Sequence, residues 1–312
     1  MRAKVASILV LVLPVFHSAA AQATQSPLRI SGYVQPRLQA IGDSAGFQLR
    51  RARIAVEGNV TPWARVRLQV EFRTWVTPAA GTSPAAQATD LYVALSQRRW
   101  TGTFGQFRVP LWRENLISST VLELPDRTLG SDQLAPFRDI GAMVGWTDGR
   151  LAIAAAVTNG EGANVAKNTN NKLMYAERGT VAVGGGVDLG VAAEEKTDTS
   201  RWTADGEWKR GRFLSRAGFL RLHRRVGATN ATAWYGLVGW TVRPEHLQLI
   251  ARLESYDPSD AATGDRTLAY VGGAQVFLKG DDLKLQLSYG VYDEQGPAVK
   301  NNRAIAQLQA RF

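Results

Sequence analysis

ARVRLQVEFRTWV, residues 64–76, sets Val66, Leu68, Val70, Phe72 and Val76 against Arg65, Arg67, Gln69, Glu71, Arg73 and Trp75. Successive side chains of a strand point to opposite faces, so this spacing predicts one apolar face and one highly charged face. A strand of a water-soluble sandwich would read the same way. Repetition separates the two readings. Leu247–Leu253, Leu268–Leu278 and Leu283–Val291 each carry an apolar alternate set. Segments of about ten residues with alternating hydrophobicity, divided by turns, are the signature of a transmembrane β-barrel.

The turns alternate in length. Short connectors fall at 59–62, 97–99, 147–150, 184–186, 209–211, 243–245 and 279–282, and longer polar ones at 41–45, 77–87, 110–137, 159–171, 196–200, 225–230, 257–265 and 293–301. Short periplasmic turns and long outer loops give this rhythm, and the connectors delimit about sixteen strands in an all-β, antiparallel barrel. The glycine-rich stretch 172–193 divides into two strands at Gly184, Gly185 and Gly186. Along Phe213–Arg224 alternation fails, with Arg216 and Arg221 on opposite faces, and a bulge is expected there. The final strand sets Ala304, Ala306, Leu308, Ala310 and Phe312 outward against Ile305, Gln307, Gln309 and Arg311. Trp63, Trp100, Trp146, Trp208 and Trp240 lie in or beside short turns, where an interfacial aromatic girdle is expected.

The opening MRAKVASILVLVLPVFHSAAAQA has basic Arg2 and Lys4, an apolar run from Val5 to Phe16, and an Ala-x-Ala site at 21–23. This predicts a cleaved secretory signal over residues 1–23, with one barrel domain over 24–312 and residence in a bacterial outer membrane. Losing Arg2 and Lys4 lowers the formal net charge from +10 by two, to +8. No cysteine is present, which excludes disulfides, thiolate metal sites and Cys nucleophiles. Beyond the leader no apolar run reaches the roughly 18 residues of a spanning helix, so membrane crossing falls to strands.

Four stretches occur in order: FQLRRARIAVEG at 47–58, GQFRVPLWRENLISSTVLELPDR at 105–127, RDIGAMVGW at 138–146 and AAAVTNGEG at 154–162. They resemble the phosphate-selective porin O and P family, which carries F-x-L-R-R-A-R, G-Q-F-x-V-P, R-E-x-x-x-S-S, and R-D-x-G followed by N-G. The motifs cover the first half of the chain; the second half matches in barrel pattern and terminal Phe312. The resemblance implies a sixteen-stranded outer-membrane barrel, often a trimer, that passes anions such as phosphate by diffusion.

Parity places Arg51, Arg53, Arg65, Arg67 and Arg73 opposite the apolar set, toward a lumen. Basic side chains around an aqueous constriction favour anions over cations, and arginine keeps its charge while its planar fork suits oxyanions. The competing role is bracing, with these arginines paired to Glu57, Glu71 and other luminal acids. The segment 110–137 is too long for a surface hairpin. It is expected to fold inward as a constriction loop, with Arg113, Glu114, Arg127, Asp132 and Arg138 as its charged candidates and Asn115–Leu122 helical. Capping the barrel or meeting a neighbouring subunit is its other reading.

Enzyme chemistry finds little footing. Beyond the leader only His223 and His246 remain, on different strands, with no triad or dyad spacing. No phosphate-binding or dinucleotide loop and no His-rich metal spacing is present, so neither cofactor nor metal is predicted. Asp281, Asp282 and the aspartates of 257–265 lack the ligand spacing of a calcium loop and read as turn formers. The basic charge lacks any nucleic-acid motif. The expected partners are therefore membrane lipid and small anionic solutes. A barrel plugged by its own long loop and a barrel enzyme are the alternatives.

Overall fold

A computed structural model describes residues 28–76, 85–165, 167–296 and 299–312. The predicted leader, the stretch 77–84 of one long connector and residues 297–298 of another lie outside the described residues. The strands are β1 Arg29–Ile41, β2 Ser44–Thr61, β3 Ala64–Glu71, β4 Gln87–Gln97, β5 Trp100–Arg108, β6 Arg138–Thr147, β7 Leu151–Thr158 and β8 Met174–Gly184. They continue as β9 Val187–Lys196, β10 Thr199–Arg210, β11 Phe213–Arg224, β12 Thr229–Arg243, β13 Leu247–Asp257, β14 Thr267–Lys279, β15 Leu283–Glu294 and β16 Arg303–Arg311. Each pairs with its chain neighbours, and β1 meets β16, closing a barrel of sixteen strands. At the seam Phe312 N donates to Gly32 O and Gly32 N to Phe312 O, both at 3.0 Å. Every backbone edge is thereby paired, the condition for strands to cross lipid.

Burial is inverted relative to a water-soluble protein. Val191 is 63% exposed and Leu189, Val181 and Ile153 are also open, whereas Lys284, Gln35, Gln307 and Gln309 are shielded completely. The apolar alternate set faces outward and the polar set inward, as a lipid-facing wall requires. Gln307 and Gln309 point in and Leu308 points out, as their parity predicts. Trp63, Trp100, Trp208 and Trp240 are exposed at the short-turn end; Trp100 and Trp146 meet across β5 and β6 with centroids 6.4 Å apart.

The segment between β5 and β6 carries two short helices, α2 Arg113–Leu116 and α3 Leu129–Gln133, after the single turn α1 Arg73–Val76 that follows β3. It packs on inward-facing side chains. Trp112, Leu124, Leu134 and Ala135 form one apolar core with Leu214, Leu220 and Leu222 of β11, Ala233 and Tyr235 of β12, and Ile250 of β13. Val109 and Leu111 form a second with Met174 and Ala176 of β8 and Ala192 of β9. Toward the seam, Gln35 donates to Ser119 O (3.3 Å), Gln309 to Thr120 O (2.9 Å) and Gln286 to Leu122 O (2.9 Å).

Three expectations about local structure need correction. The strand begun at Ala64 ends at Glu71, not Val76. The Glu71 carboxylate accepts from Ala52 N (2.8 Å) and Arg73 N (3.1 Å), which turns the chain into α1. No bulge interrupts β11, whose register with β10 and β12 is continuous. Its inward face carries Leu220 and Leu222 because the apolar core of the inner segment lies against it, and Arg221 simply faces out. The helix expected over 115–122 is instead one turn at 113–116. The second turn, α3, is capped at Thr128, whose hydroxyl accepts from Ser131 N at 3.3 Å.

Candidate functional site: an arginine-lined passage

Pro36 has no N–H to give a ladder. The β1–β2 register shifts beside it: Gln35 faces Arg51 and Pro36 faces Leu49, leaving Arg50 as the extra residue of a bulge. Two consecutive arginines therefore point inward. Arg50 Nε lies 3.2 Å from Asp126, and Arg51 Nη1 donates to Gln35 Oε1 at 2.8 Å.

The predicted arginines divide by partner. Arg53 pairs with Glu71 at 2.8 Å and lies over the Tyr33 ring. Arg67 pairs with Glu57 and, at 3.4 Å, with Asp90. Arg65 is half exposed, 3.7 Å from Glu57. Arg73 stands on α1 rather than on a strand, so the parity that aimed it at the lumen does not apply. Arg51 has no carboxylate in ion-pair range among the described residues.

The inner segment is held by charge at three places. Asp126 takes Arg37 (2.8 Å), Arg50 (3.2 Å) and Arg303 (3.3 Å), binding the segment to β1, β2 and β16. Burial alone would raise its carboxyl; the Arg37, Arg50 and Arg51 charges outweigh this and hold it well below the usual range. Arg113 joins Asp205 (2.6 Å) and Asp188 on β10 and β9. Glu114 is buried and accepts from Thr128 N (2.8 Å), Thr128 Oγ1 (2.6 Å) and Ser131 Oγ (2.7 Å), with Arg252 3.8 Å away. Arg113 and Glu114 therefore fasten the segment. Arg127 donates to Glu114 O and to Ile117 O (2.8 Å) and lies over Phe137. Arg138 pairs with Asp90 at 2.7 Å.

Asp132 is open to water yet ringed by protein. Enclosure raises its carboxyl, Asp126 and Glu114 add to the rise, and Arg50 opposes it.

With the segment packed on β8–β16 and β1, space is left along the opposite wall. A cavity of about 580 Å³ lies there, lined among others by Arg67, Asp90, Tyr92, Arg108, Ser118 and Arg178. Arg178 is neutralised by Asp205 (2.8 Å) and Asp90 by Arg138 and Arg67. Arg108 donates only to the carbonyls of Leu116 (2.7 Å) and Asn115 (3.3 Å). Arg108, Arg51 and Arg127 thus form a group without carboxylate partners among the described residues, and Arg108 is the one that lines the cavity. Sequence parity missed Arg50 because a single phase was assumed along the strand, whereas the bulge moves the outward set from odd positions such as Phe47 to even ones such as Ile54. Arg108 stood within the G-Q-F-R-V-P stretch but was not singled out, and it could have been, because that stretch leads directly into the inner segment.

The family model described as phosphate-selective porin O and P matches residues 32–216. No curated protein matches the chain. Among solved structures, the anion-selective porin from Comamonas acidovorans superposes with a TM-score of 0.68 at 11% identity, covering 92% of this chain and 99% of that one. A loop-L8 deletion mutant of OmpT, an outer-membrane protein of Vibrio cholerae, gives the same four values. OmpT in its trimer form gives 0.54 at 13% identity, with 92% and 99% covered.

Proposed function

The chain belongs to the phosphate-selective porin O and P family and is an outer-membrane porin, and from that premise we propose that it passes small oxyanions in preference to cations. Solutes would diffuse between the inner segment and the wall formed by β3–β8. The segment would narrow this route, making it the constriction. The observation that carries the reading is Arg108, which lines the passage cavity with no carboxylate in ion-pair range among the described residues. A fixed positive charge in a narrow, low-dielectric passage lowers the energy of an anion and raises that of a cation. The arginine fork matches phosphate oxygens, and the anion selectivity of the Comamonas porin is in keeping with such traffic. The first 23 residues direct export and are removed, and the trimer form of OmpT supports a homotrimer here. In planar bilayers under a salt gradient, Arg108→Gln should shift the reversal potential toward cations while the barrel keeps its heat resistance. An unchanged potential would overturn the role given to Arg108.

A non-conducting barrel is the second reading, favoured by the complete shielding of Gln35, Lys284, Gln307 and Gln309 beneath the inner segment. Absence of single-channel steps would establish it.

A further inference from the structure

The outer wall carries an apolar groove of about 440 Å³ across β10–β13. Trp208 and Trp240 stand along it, and its floor is low because Ser215 and Ala251 occupy the outward positions on either side of Val238. Trp208 faces Ser215, Ser215 faces Val238 and Val238 faces Ala251, so one row of the barrel runs large, small, medium, small. Three basic residues adjoin this groove. At its short-turn end lie Arg210, two residues beyond Trp208 on the same face, Arg212 in the β10–β11 turn, and Arg243 beside the turn into β13. All three are exposed.

Their charges are unspent. Among the described residues no carboxylate lies in ion-pair range of Arg210, Arg212 or Arg243, whereas most inward-facing arginines are paired. Arg212 donates only to the Val242 carbonyl, at 3.3 Å. Tryptophans mark the depth of the membrane interface, so the three guanidinium groups sit at headgroup level and the groove at acyl-chain level. Short turns mark the periplasmic end, which assigns the site to the inner leaflet.

We propose that this groove and its three arginines form a binding site for an anionic phospholipid of the inner leaflet, with acyl chains between Trp208 and Trp240 and the phosphate on Arg210, Arg212 and Arg243. Charge complementarity selects the occupant: a zwitterionic lipid would fill the groove equally well but leave the arginines without net compensation. Each basic residue near an anionic headgroup is worth about fivefold in affinity.

The test is native mass spectrometry of the full barrel in detergent, with phosphatidylglycerol and phosphatidylethanolamine of identical chains. Wild type should retain phosphatidylglycerol preferentially. The triple variant Arg210→Gln, Arg212→Gln, Arg243→Gln should lose that preference by at least about tenfold. Ser215→Leu, which fills the groove without altering charge, should weaken retention of both lipids, and a melting curve for each variant verifies that the barrel is intact. Arg98→Gln with Arg99→Gln, at a different short turn, should leave the preference in place. Equal retention of the two lipids by wild type would overturn the site. So would a triple variant that keeps the preference, or an equal loss in the Arg98 and Arg99 variant, which would mark a diffuse rim charge instead.

Discussion

Arg50 and Arg51 share a direction although they are sequence neighbours, and the cause is one missing N–H at Pro36. Arg51, Arg53, Arg65 and Arg67 could be placed inward by counting in twos; Arg50 could not, and Arg73 was misplaced because the count ran past the end of its strand. The pairing of arginines was even less legible, since Asp126, Asp188 and Asp205 lie 75 or more residues from the arginines Arg37 and Arg113 that they meet across the lumen. These partners predict different mutational effects. Arg65→Gln, at a half-exposed pair, should change the thermal midpoint little, because such pairs are worth about 0–1 kcal/mol. Asp126→Asn leaves three arginines facing one another and should cost about 3 kcal/mol, read as a fall in the unfolding midpoint. Because the Asp126 carboxyl is held below its ordinary range, its contribution is fully present above that range and disappears only as pH falls through the depressed value. Wild-type heat resistance should therefore persist through mild acid, and the Asn variant should lack the loss at lower pH. Asp132 runs the other way. Its raised carboxyl takes up a proton above the ordinary range as pH falls, so anion preference should increase over that window. Asp132→Asn should abolish the increase in reversal-potential titrations.

At the scale of elements, the inner segment behaves as a third wall with its own core. Trp112 packs edge-on against Tyr235 with centroids 5.5 Å apart, and Gly218 beneath it leaves no room for a side chain, since an added Cβ would lie 2.8 Å from the indole. Trp112→Ala should remove about 3–5 kcal/mol of packing. The segment is fastened by Arg113, Glu114 and Asp126 as well, so the barrel should remain closed while single-channel current becomes larger and noisier. Current identical to wild type would show that the segment does not border the path. The sequence marked this segment as too long for a hairpin, yet its contacts were hidden. Arg216 and Arg221 read as a failure of alternation because Leu220 and Leu222, inward with Arg216, make sense there only once something apolar fills the lumen. The helix expected at 115–122 failed for a related reason: wall glutamines donate to the carbonyls of Ser119, Thr120 and Leu122, and the chain there makes a turn closed by Val121 N to Ser118 O (3.1 Å).

At the scale of the whole molecule, strand number and closure were legible because each turn and each alternate residue reports independently on the same barrel. The two glycine-flanked strands of 172–193 and the parity of the last strand follow from that redundancy. The cavity proposed as the passage was not legible, because it is the space left over when a segment from one connector covers most of the inner surface. Its charge is the central claim. The most direct measurement is the zero-current potential of the purified barrel in a planar bilayer under a tenfold potassium chloride gradient, where the account predicts the sign set by chloride. A potential of the sign set by potassium, or no conductance at all, would contradict it.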